Sequence, residues 1–420
     1  MLRRCAFLLV IVSLLFFGGC FDSSDDESSA QNSSTTEPTP PTPDPPLPQV
    51  EAWKEVTEIS IEGLYSFDLG INDATIDLGV MCSTSGYGDG NVNLPAGFGG
   101  TGNALVLHEF DSENNTWSVQ GGRTTPQNYK YSELLFDNGD SYYSTNYASF
   151  GGLLAVVKNG GSGTSAMNGG LFHNIAIQGA FIYSLALQKE KAASWAGPAV
   201  EGGIGLCAYD KTKFAALGGA SSGVWSREMV DTQYDKISDP CLIVAGDYLV
   251  GAYVKNEGGE NDGKLYVRRT NVPDDIAGKV ETNFPSFGPS LKNIREVELA
   301  WDGTKVYAAT ISEENELTIH SCPLNEEPLT WTVERTMADV NDVDFASTTG
   351  KVAFSVRQND AVKVYKKIKE TEAGLTVTGT FTKDGIGRLF DIEGVGELLC
   401  LSVWDATKEK LITHRFEAWK

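Results

Sequence analysis

Short apolar runs recur along the C-terminal part of this chain at a spacing of 46 residues, from Lys305 to Lys351 to Glu397. Each run begins a hairpin-like pair of apolar segments, and Gly, Asn, Asp and Ser clusters separate the segments. The most regular unit contains four such segments, at Val297–Trp301, Lys305–Thr310, Leu317–His320 and Leu329–Val333. Short alternating runs bounded by turn residues predict β-strands, and hardly any stretch after residue 50 has a helical pattern.

Four strands in a unit of 40–50 residues are typical of a β-propeller blade. We therefore predict an all-β fold, a β-propeller of four-stranded blades, with seven blades preferred and eight as the alternative. Earlier blades are expected to start with inner hairpins, which we place at Ser66–Cys82, Glu133–Val157, Asn174–Leu187, Gly205–Leu217 and Cys241–Val254.

The two ends of the folded region predict how the ring closes. The last unit shows three strands, and the segment 51–57 precedes the first inner hairpin. We expect this N-terminal strand to join the last blade as its missing outer strand, which removes an open sheet edge. Trp residues near the start of outer strands, Trp53, Trp117, Trp225 and Trp331, are interpreted as packing between blades.

The first 20 residues have the pattern of an export signal. Arg3 and Arg4 precede an apolar run over residues 6–17, which is shorter than the ~20 residues of a membrane-spanning helix. The run ends in Gly18-Gly19-Cys20, which resembles the bacterial lipobox. The resemblance implies a signal peptide over residues 1–19 and a lipidated, palmitate-bearing Cys20. Since the next residue is not Asp, it also implies the outer membrane, with the protein facing either the periplasm or the cell surface.

Residues 20–50 form a Ser/Asp/Pro-rich segment, with seven prolines between Pro38 and Pro48. Such a composition buries little apolar surface and favours an extended, disordered tether. The predicted organisation is therefore a signal peptide (1–19), a lipidated Cys and tether (20–50) and a propeller domain (51–420).

Composition excludes several classes of function. The formal net charge is −23, which argues against nucleic-acid binding because phosphates require a basic surface. The four His residues have no paired spacing, so no zinc motif is found. The cysteines beyond the tether are expected to be small buried hydrophobes, with one disulfide as an alternative: Cys82, Cys207, Cys241, Cys322 and Cys400.

We predict no cofactor. Calcium is the alternative, because residues 137–140 and 260–263 cluster oxygen donors. Asn-Gly and Asp-Gly pairs are primarily hairpin turns, and we interpret both segments as turns.

Gly-rich insertions are the preferred places for partner contacts, because long loops are often functional. Tyr87, Asp89, Phe98 and Phe284 are the candidate binding residues. The segment Phe110–Trp117 resembles the strand–turn–Trp part of kelch repeats, and Gly218-Gly219 resembles their double glycine.

The sequence thus predicts a lipid-anchored, monomeric cell-envelope protein that binds a protein or glycan partner through propeller loops. The first alternative is a polysaccharide-active hydrolase or lyase that uses carboxylates facing the central channel. The second is an outer-membrane assembly factor. No catalytic residue is assigned.

Overall fold

The computed structural model describes residues 53–419, except 62, 74, 76, 88–101, 126–132, 148–152, 160–161, 168–169, 189–202, 212–214, 217–225, 234–235, 260–261, 273–287, 327 and 380–388. Residues 1–50 and 51–420 are separate units. Cys20, the signal peptide and the tether lie outside the described residues. Within the described part of the chain, no helix has the length and hydropathy that crossing a membrane requires.

The described residues of the second unit form 28 β-strands. In chain order these are β1 (Lys54–Ser60), β2 (Leu64–Asn72), β3 (Asp77–Tyr87), β4 (Gly102–Asp111), β5 (Thr116–Thr125), β6 (Leu134–Asp137), β7 (Asp140–Tyr147), β8 (Leu153–Lys158), β9 (Ser162–Met167), β10 (Gly170–Gln178), β11 (Phe181–Gln188), β12 (Gly203–Asp210), β13 (Ala215–Ala216), β14 (Ser226–Thr232), β15 (Ile237–Ala245), β16 (Tyr248–Lys255), β17 (Lys264–Asn271), β18 (Ile294–Trp301), β19 (Lys305–Ser312), β20 (Leu317–Pro323), β21 (Thr332–Met337), β22 (Asp342–Thr348), β23 (Lys351–Gln358), β24 (Ala361–Tyr365), β25 (Leu375–Thr378), β26 (Phe390–Val395), β27 (Leu398–Asp405) and β28 (Lys410–Phe416).

These strands pair into seven antiparallel sheets within the described residues. We number them along the chain: sheet 1 (β2–β5), sheet 2 (β6–β9 and β13), sheet 3 (β10–β12 and β14), sheet 4 (β15–β17), sheet 5 (β18–β21), sheet 6 (β22–β25) and sheet 7 (β26–β28 and β1). The first strand of each sheet contacts the first strand of the next, and β26 of sheet 7 returns to β2 of sheet 1. The fold is an all-β propeller, as predicted. The number of blades, seven or eight, stays a prediction from the sequence.

The predicted closure is confirmed. β1 pairs antiparallel with β28 from Lys54↔Arg415 to Ser60↔Lys410, so the N-terminal strand completes the C-terminal sheet. Trp53 stacks on Phe416 with 5.3 Å between ring centroids. Trp419 is 1% exposed, and its indole N–H donates to the carbonyl oxygen of Lys366 at 3.2 Å.

One predicted hairpin is wrong. Gly205–Leu217 was expected to begin a blade, but residues 203–210 are the third strand of sheet 3 and pair with β11. Ala215 and Ala216 then pair with β9 and add a fifth strand to sheet 2. The apolar run does form a strand. It is not an inner strand, because the preceding hairpin, Gly170–Gln188, already provides the inner strands of sheet 3.

Most of the apolar core lies between neighbouring sheets. Trp117 follows the predicted packing role, because its indole N–H donates to Thr57 of sheet 7 at 2.8 Å and its ring contacts Phe110. The cysteines whose side chains are described are buried, as expected, and no disulfide joins any two of them: Cys82, Cys241, Cys322 and Cys400. Trp225 and the side chain of Cys207 lie outside the described set.

Turn residues behave as the sequence predicted at residues 137–140. Asn138 and Gly139 have φ angles of 52° and 84°, and Asp137 pairs with Asp140 across the turn. Positive φ at both central positions is the geometry that Asn-Gly provides with little strain. The segment is therefore the tight hairpin between β6 and β7.

Three histidines occupy one repeated position. His108, His320 and His414 each pair with the fourth residue of the second strand in their sheet, and each lies beside a β-bulge with the outer strand. A ring nitrogen of each is buried and lacks a hydrogen-bond partner in the part of the chain that is described. Burial lowers the pKa of all three, and that of His108 to about 4.

Closure of the ring predicts the effect of a methyl group at Gly394. A Cβ there would overlap the indole ring of Trp419, so Gly394→Ala should destabilise the fold by about 1–3 kcal/mol in urea denaturation. The control is Gly374→Ala, whose methyl would lie 3.4 Å from Cε of Lys366 and should be nearly neutral. Equal losses in the two variants would contradict this account of the seam.

The buried imidazole of His108 predicts loss of stability in acid. Its pKa is lower in the folded than in the unfolded chain, so this contribution is intact above pH 6.5 and is lost as the pH falls towards about 4. Between pH 7 and pH 5 this one group should cost about 2 kcal/mol, which His108→Leu should recover. His414→Leu should recover less, since burial lowers the pKa of His414 but the nearby Glu55 carboxylate partly offsets that lowering. Identical pH profiles for all three proteins would refute the assignment.

Candidate functional site

Polar side chains link the first strands of neighbouring sheets around the centre of the ring. The first strand of a sheet has one edge without a strand partner, so some of its N–H groups need another acceptor. Asp391 of β26 provides one, since its Oδ2 accepts from the Leu69 N–H of β2 at 2.8 Å. The two residues are 322 positions apart in the chain.

The same link repeats between the other sheets, and we call the set the inner ring. Backbone N–H groups donate to Asp68 (from Leu134, 2.5 Å), Glu133 (from Ile175, 2.8 Å), Asn174 (from Leu242, 2.9 Å), Glu296 (from Val343, 3.3 Å) and Asp344 (from Ile392, 2.8 Å), while the Cys241 thiol lies 3.5 Å from Glu298. Every pair of neighbouring sheets is therefore joined at this level.

The inner ring gives three buried carboxylates a structural role. Asp68, Asp344 and Asp391 are 7%, 5% and 2% exposed, and each has an oxygen that accepts a main-chain N–H of the next sheet. The sequence analysis missed this arrangement. A signal was present, because Asp68-Leu69 and Asp391-Ile392 are polar–apolar pairs at equivalent places in first strands.

A second polar cluster lies at the outer part of the interface between sheets 3 and 4, and we call it the outer groove. Its floor is Asp231 of β14 with Tyr253 and Lys255 of β16. The Tyr253 hydroxyl and Lys255 Nζ donate to the two Asp231 oxygens, each at 2.8 Å. Arg268 of β17 donates through Nε to the Tyr253 hydroxyl oxygen at 2.7 Å.

The rim of the outer groove reaches solvent. Tyr266 stacks on Tyr253 at 5.3 Å with a 9° angle between the ring planes, and its hydroxyl donates to Glu257 at 2.6 Å. Lys264 Nζ lies 4.8 Å from the Tyr266 centroid. The side chains of Lys264, Glu257 and Arg268 are 34%, 30% and 20% exposed.

Electrostatics of the groove follow from these contacts. Burial raises the pKa of Tyr253, which keeps its hydroxyl protonated as a donor to Asp231. The hydrogen bond from Tyr266 lowers the pKa of Glu257 and keeps that carboxyl ionised at neutral pH. The groove therefore presents fixed charges of both signs beside two aromatic rings.

Only one of the candidate binding residues from the sequence lies among the described residues. Tyr87 is the last residue of β3, where its backbone pairs with Gly102. Asp89, Phe98 and Phe284 lie outside the described residues. Their role in binding stays a prediction.

The acidic hairpin that suggested calcium has lysine partners. Asp140 forms a 2.6 Å ion pair with Lys158, and Asp137 pairs with Lys211. Asn159 also donates to Asp140, at 2.7 Å. No group of three or more His, Cys, Asp or Glu side chains suited to a metal ion is found among the residues that the structure describes.

Comparison with known proteins supports the fold and says nothing further about function. No family model and no curated protein matches the chain. The BP39L lectin of Burkholderia pseudomallei aligns with a TM-score of 0.50 at 10% identity, over 82% of this chain and 94% of the lectin. This likeness supports a shared architecture.

Two further solved structures are similar at lower scores. The β-propeller domain of the Trilobed protease from Pyrococcus furiosus has a TM-score of 0.46 at 9% identity, covering 86% of this chain and 97% of that domain. An α-L-arabinofuranosidase from Fusarium graminearum has a TM-score of 0.42 at 8% identity, covering 87% of this chain and 98% of the arabinofuranosidase.

The inner ring predicts a contrast between two substitutions of Asp391. Asp391→Ala leaves the buried Leu69 N–H without this acceptor and should cost about 1–3 kcal/mol of unfolding free energy. Asp391→Asn keeps an oxygen acceptor and should cost less. Hydrogen exchange at Leu69 should accelerate in the Ala variant only. Asp360→Ala, at an exposed turn, is the matched control, and an equal loss there would contradict the structural role.

Proposed function

We propose that this protein is a lipid-anchored cell-envelope recognition protein whose propeller binds a glycan or protein partner. The observation that carries the proposal is the outer groove, where Lys264, Glu257 and Arg268 are partly exposed between two sheets. Ligand sites commonly combine apolar or aromatic surface with a few fixed polar groups. Tyr87, Asp89, Phe98 and Phe284 remain proposed additional contacts.

The position of β1 supports anchoring. β1 is the outermost strand of sheet 7, so the chain enters the domain at its periphery and away from the inner ring. In this proposal the lipid is attached at Cys20, the protein is held at the outer membrane, and the segment 20–50 acts as a spacer.

Recognition is favoured over turnover of a polysaccharide by the chemistry of the channel. General acid–base cleavage of a glycoside needs two carboxyl groups directed at one bond. Asp68, Asp344 and Asp391 instead each hold a main-chain N–H of the next sheet. The inner ring thus uses carboxylates to join sheets.

One experiment compares the full chain with its Cys20→Ser variant. We expect the unchanged protein in the membrane fraction, carrying acyl chains, and the variant in the aqueous fraction. Both should be retained on an immobilised partner chosen from panels of polysaccharides and envelope proteins, and neither should generate new reducing or unsaturated sugar ends.

The outcomes separate the parts of the proposal. The appearance of new reducing or unsaturated sugar ends would show that the protein is a polysaccharide-active enzyme and would overturn the recognition proposal. Recovery of the unchanged protein in the aqueous fraction would contradict the lipid anchor. Absence of retention on every member of both panels would overturn the recognition function.

A further inference from the structure

One position of the repeated sheet carries a charge in sheet 6 and apolar core in other sheets. It is the seventh residue of the second strand, which pairs with a residue near the start of the third strand. In sheets 3, 4, 5 and 7 both members of this pair are apolar and buried: Leu187 with Ile204, Val254 with Leu265, Ile311 with Leu317, and Trp404 with Leu411. In sheet 6 the pair is Arg357 with Val362. A cation thus occupies a position that apolar packing fills elsewhere in the ring.

The side chain of Arg357 is directed towards sheet 7. β23 pairs with both of its neighbours without a bulge, so its side chains alternate between the two faces of sheet 6. Phe354 and Val356 pack in the core shared with sheet 5, whereas Ala353 packs in the cluster that extends to sheet 7. Arg357 is on the Ala353 face, at the end of the sheet where β22 begins.

The guanidinium of Arg357 has no hydrogen-bond or ion-pair partner within the part of the chain that is described. Its Nε is buried and makes no hydrogen bond, although the residue as a whole is only partly buried. An arginine side chain has five N–H donors and keeps its charge at any physiological pH. Its donors therefore stay available for an acceptor that comes from outside the chain.

The two carboxylates on this face of sheet 6 already have main-chain donors. Asp342 is directly opposite Arg357, and its Oδ1 accepts from the Val343 N–H at 3.1 Å. Asp344 accepts main-chain N–H groups through both of its oxygens, at 2.9 and 2.8 Å. Because these contacts hold both carboxylates, neither forms an ion pair with Arg357.

A second polar group on the same face is also unpartnered among the described residues. The hydroxyl of Ser355 is buried and makes no hydrogen bond. The equivalent serine of sheet 7, Ser402, hydrogen-bonds with Thr413 at 2.8 Å, whereas Ser355 is opposite Val364. The second strand of sheet 6 thus directs two polar side chains towards sheet 7 without polar partners from the third strand. A few polar groups placed in apolar surroundings are typical of a specific binding site.

We propose that Arg357 binds the carboxylate of an acidic side chain on a protein partner, at this end of the interface between sheets 6 and 7. The planar guanidinium fits a carboxylate with two parallel hydrogen bonds, and apolar neighbours such as Val362 strengthen them. Phe390 of the facing sheet is fully buried and gives a sugar ring no surface to stack on, which favours a protein carboxylate over an acidic glycan. The inference rests on the proposed recognition function and names the chemistry of the partner.

The test is an NMR titration of the full-chain Cys20→Ser protein, observed at the Nε–H of Arg357. The probes are end-capped pentaglutamate, end-capped pentaglutamine and hexagalacturonate, all at one ionic strength. Pentaglutamate should shift the Arg357 signal saturably and bind at least about tenfold tighter than pentaglutamine. Added salt should weaken this binding, because the contact is between charges near the surface.

The Arg357→Leu variant separates binding from structure. Leu matches the apolar residues at the equivalent position of other sheets, so thermal stability should be unchanged or higher, while pentaglutamate affinity should fall by about tenfold or more. An arginine with a purely structural role would give the reverse result. Arg357→Lys keeps the charge without the planar fork and should give an intermediate affinity, which keeps the test valid if the Leu variant does not fold.

The matched control is Lys363→Leu. Lys363 follows Val362 in β24 and is on the opposite face of sheet 6, where its Nζ donates to Gln358 at 2.9 Å. This substitution removes the same charge from the neighbouring strand. Affinity for pentaglutamate should be unchanged.

Each remaining result overturns the inference in a distinguishable way. Equal binding of the two peptides removes the carboxylate requirement. Pentaglutamate binding that survives Arg357→Leu places the site elsewhere, and a loss of stability with binding retained assigns Arg357 to the fold. Hexagalacturonate binding through Arg357, without pentaglutamate binding, replaces the protein partner with an acidic glycan. Failure of all three probes, with retention on a member of the partner panels, overturns this contact alone. Failure on every panel overturns the proposed function as well.

Discussion

The unpaired inner edge of each first strand is the constraint on which this ring depends. A sheet that begins at the centre leaves N–H groups without a strand partner, and water or a side chain must accept from them. Here the acceptor comes from the preceding sheet, as Asp344 does for Ile392 and Asp391 for Leu69. Because every pair of neighbouring sheets is joined in this way, with the Cys241 thiol and Glu298 as the link between sheets 4 and 5, the pattern is complete only when the last sheet meets the first. The inner ring therefore favours the closed state as a whole.

At the outer edge, the ring is closed by backbone pairing and apolar packing. The ladder between β1 and β28 covers an outer edge, and apolar rings seal the seam, with Trp53 on Phe416 and Trp419 against Gly394. The polar inner links fix direction and register, while apolar surface between sheets supplies most of the favourable free energy. Sheet 7 is therefore joined to sheet 1 at its inner edge and completed by β1 at its outer edge.

The sequence predicted the parts of this fold that repeat locally. The hairpins after Val297 and the closing strand follow from period and turn chemistry, and both are observed. Gly205–Leu217 was misassigned because an apolar run alone does not say which strand of a blade it is. The inner ring escaped prediction because its partners, such as Asp391 and Leu69, are distant in the chain and meet only after closure. The outer groove escaped for the same reason: Asp231 belongs to one sheet and Arg268 to the next.

Repetition of the frame also explains how one interface can differ from the others. One position recurs in the third strands, namely the residue that pairs with the fourth residue of the second strand. Sheets 1, 5 and 7 have a histidine there: His108, His320 and His414. Sheet 6 has Tyr365, and sheet 4 has Arg268. The backbone position is the same, so the side chain alone decides what the interface does. A buried neutral imidazole fills space between sheets, and Tyr365 stacks beneath Arg335. Arg268 instead donates to the Tyr253 hydroxyl oxygen and lies 3.8 Å from Asp231 of sheet 3, so at this interface the same backbone position carries a charged side chain that joins two sheets through polar contacts.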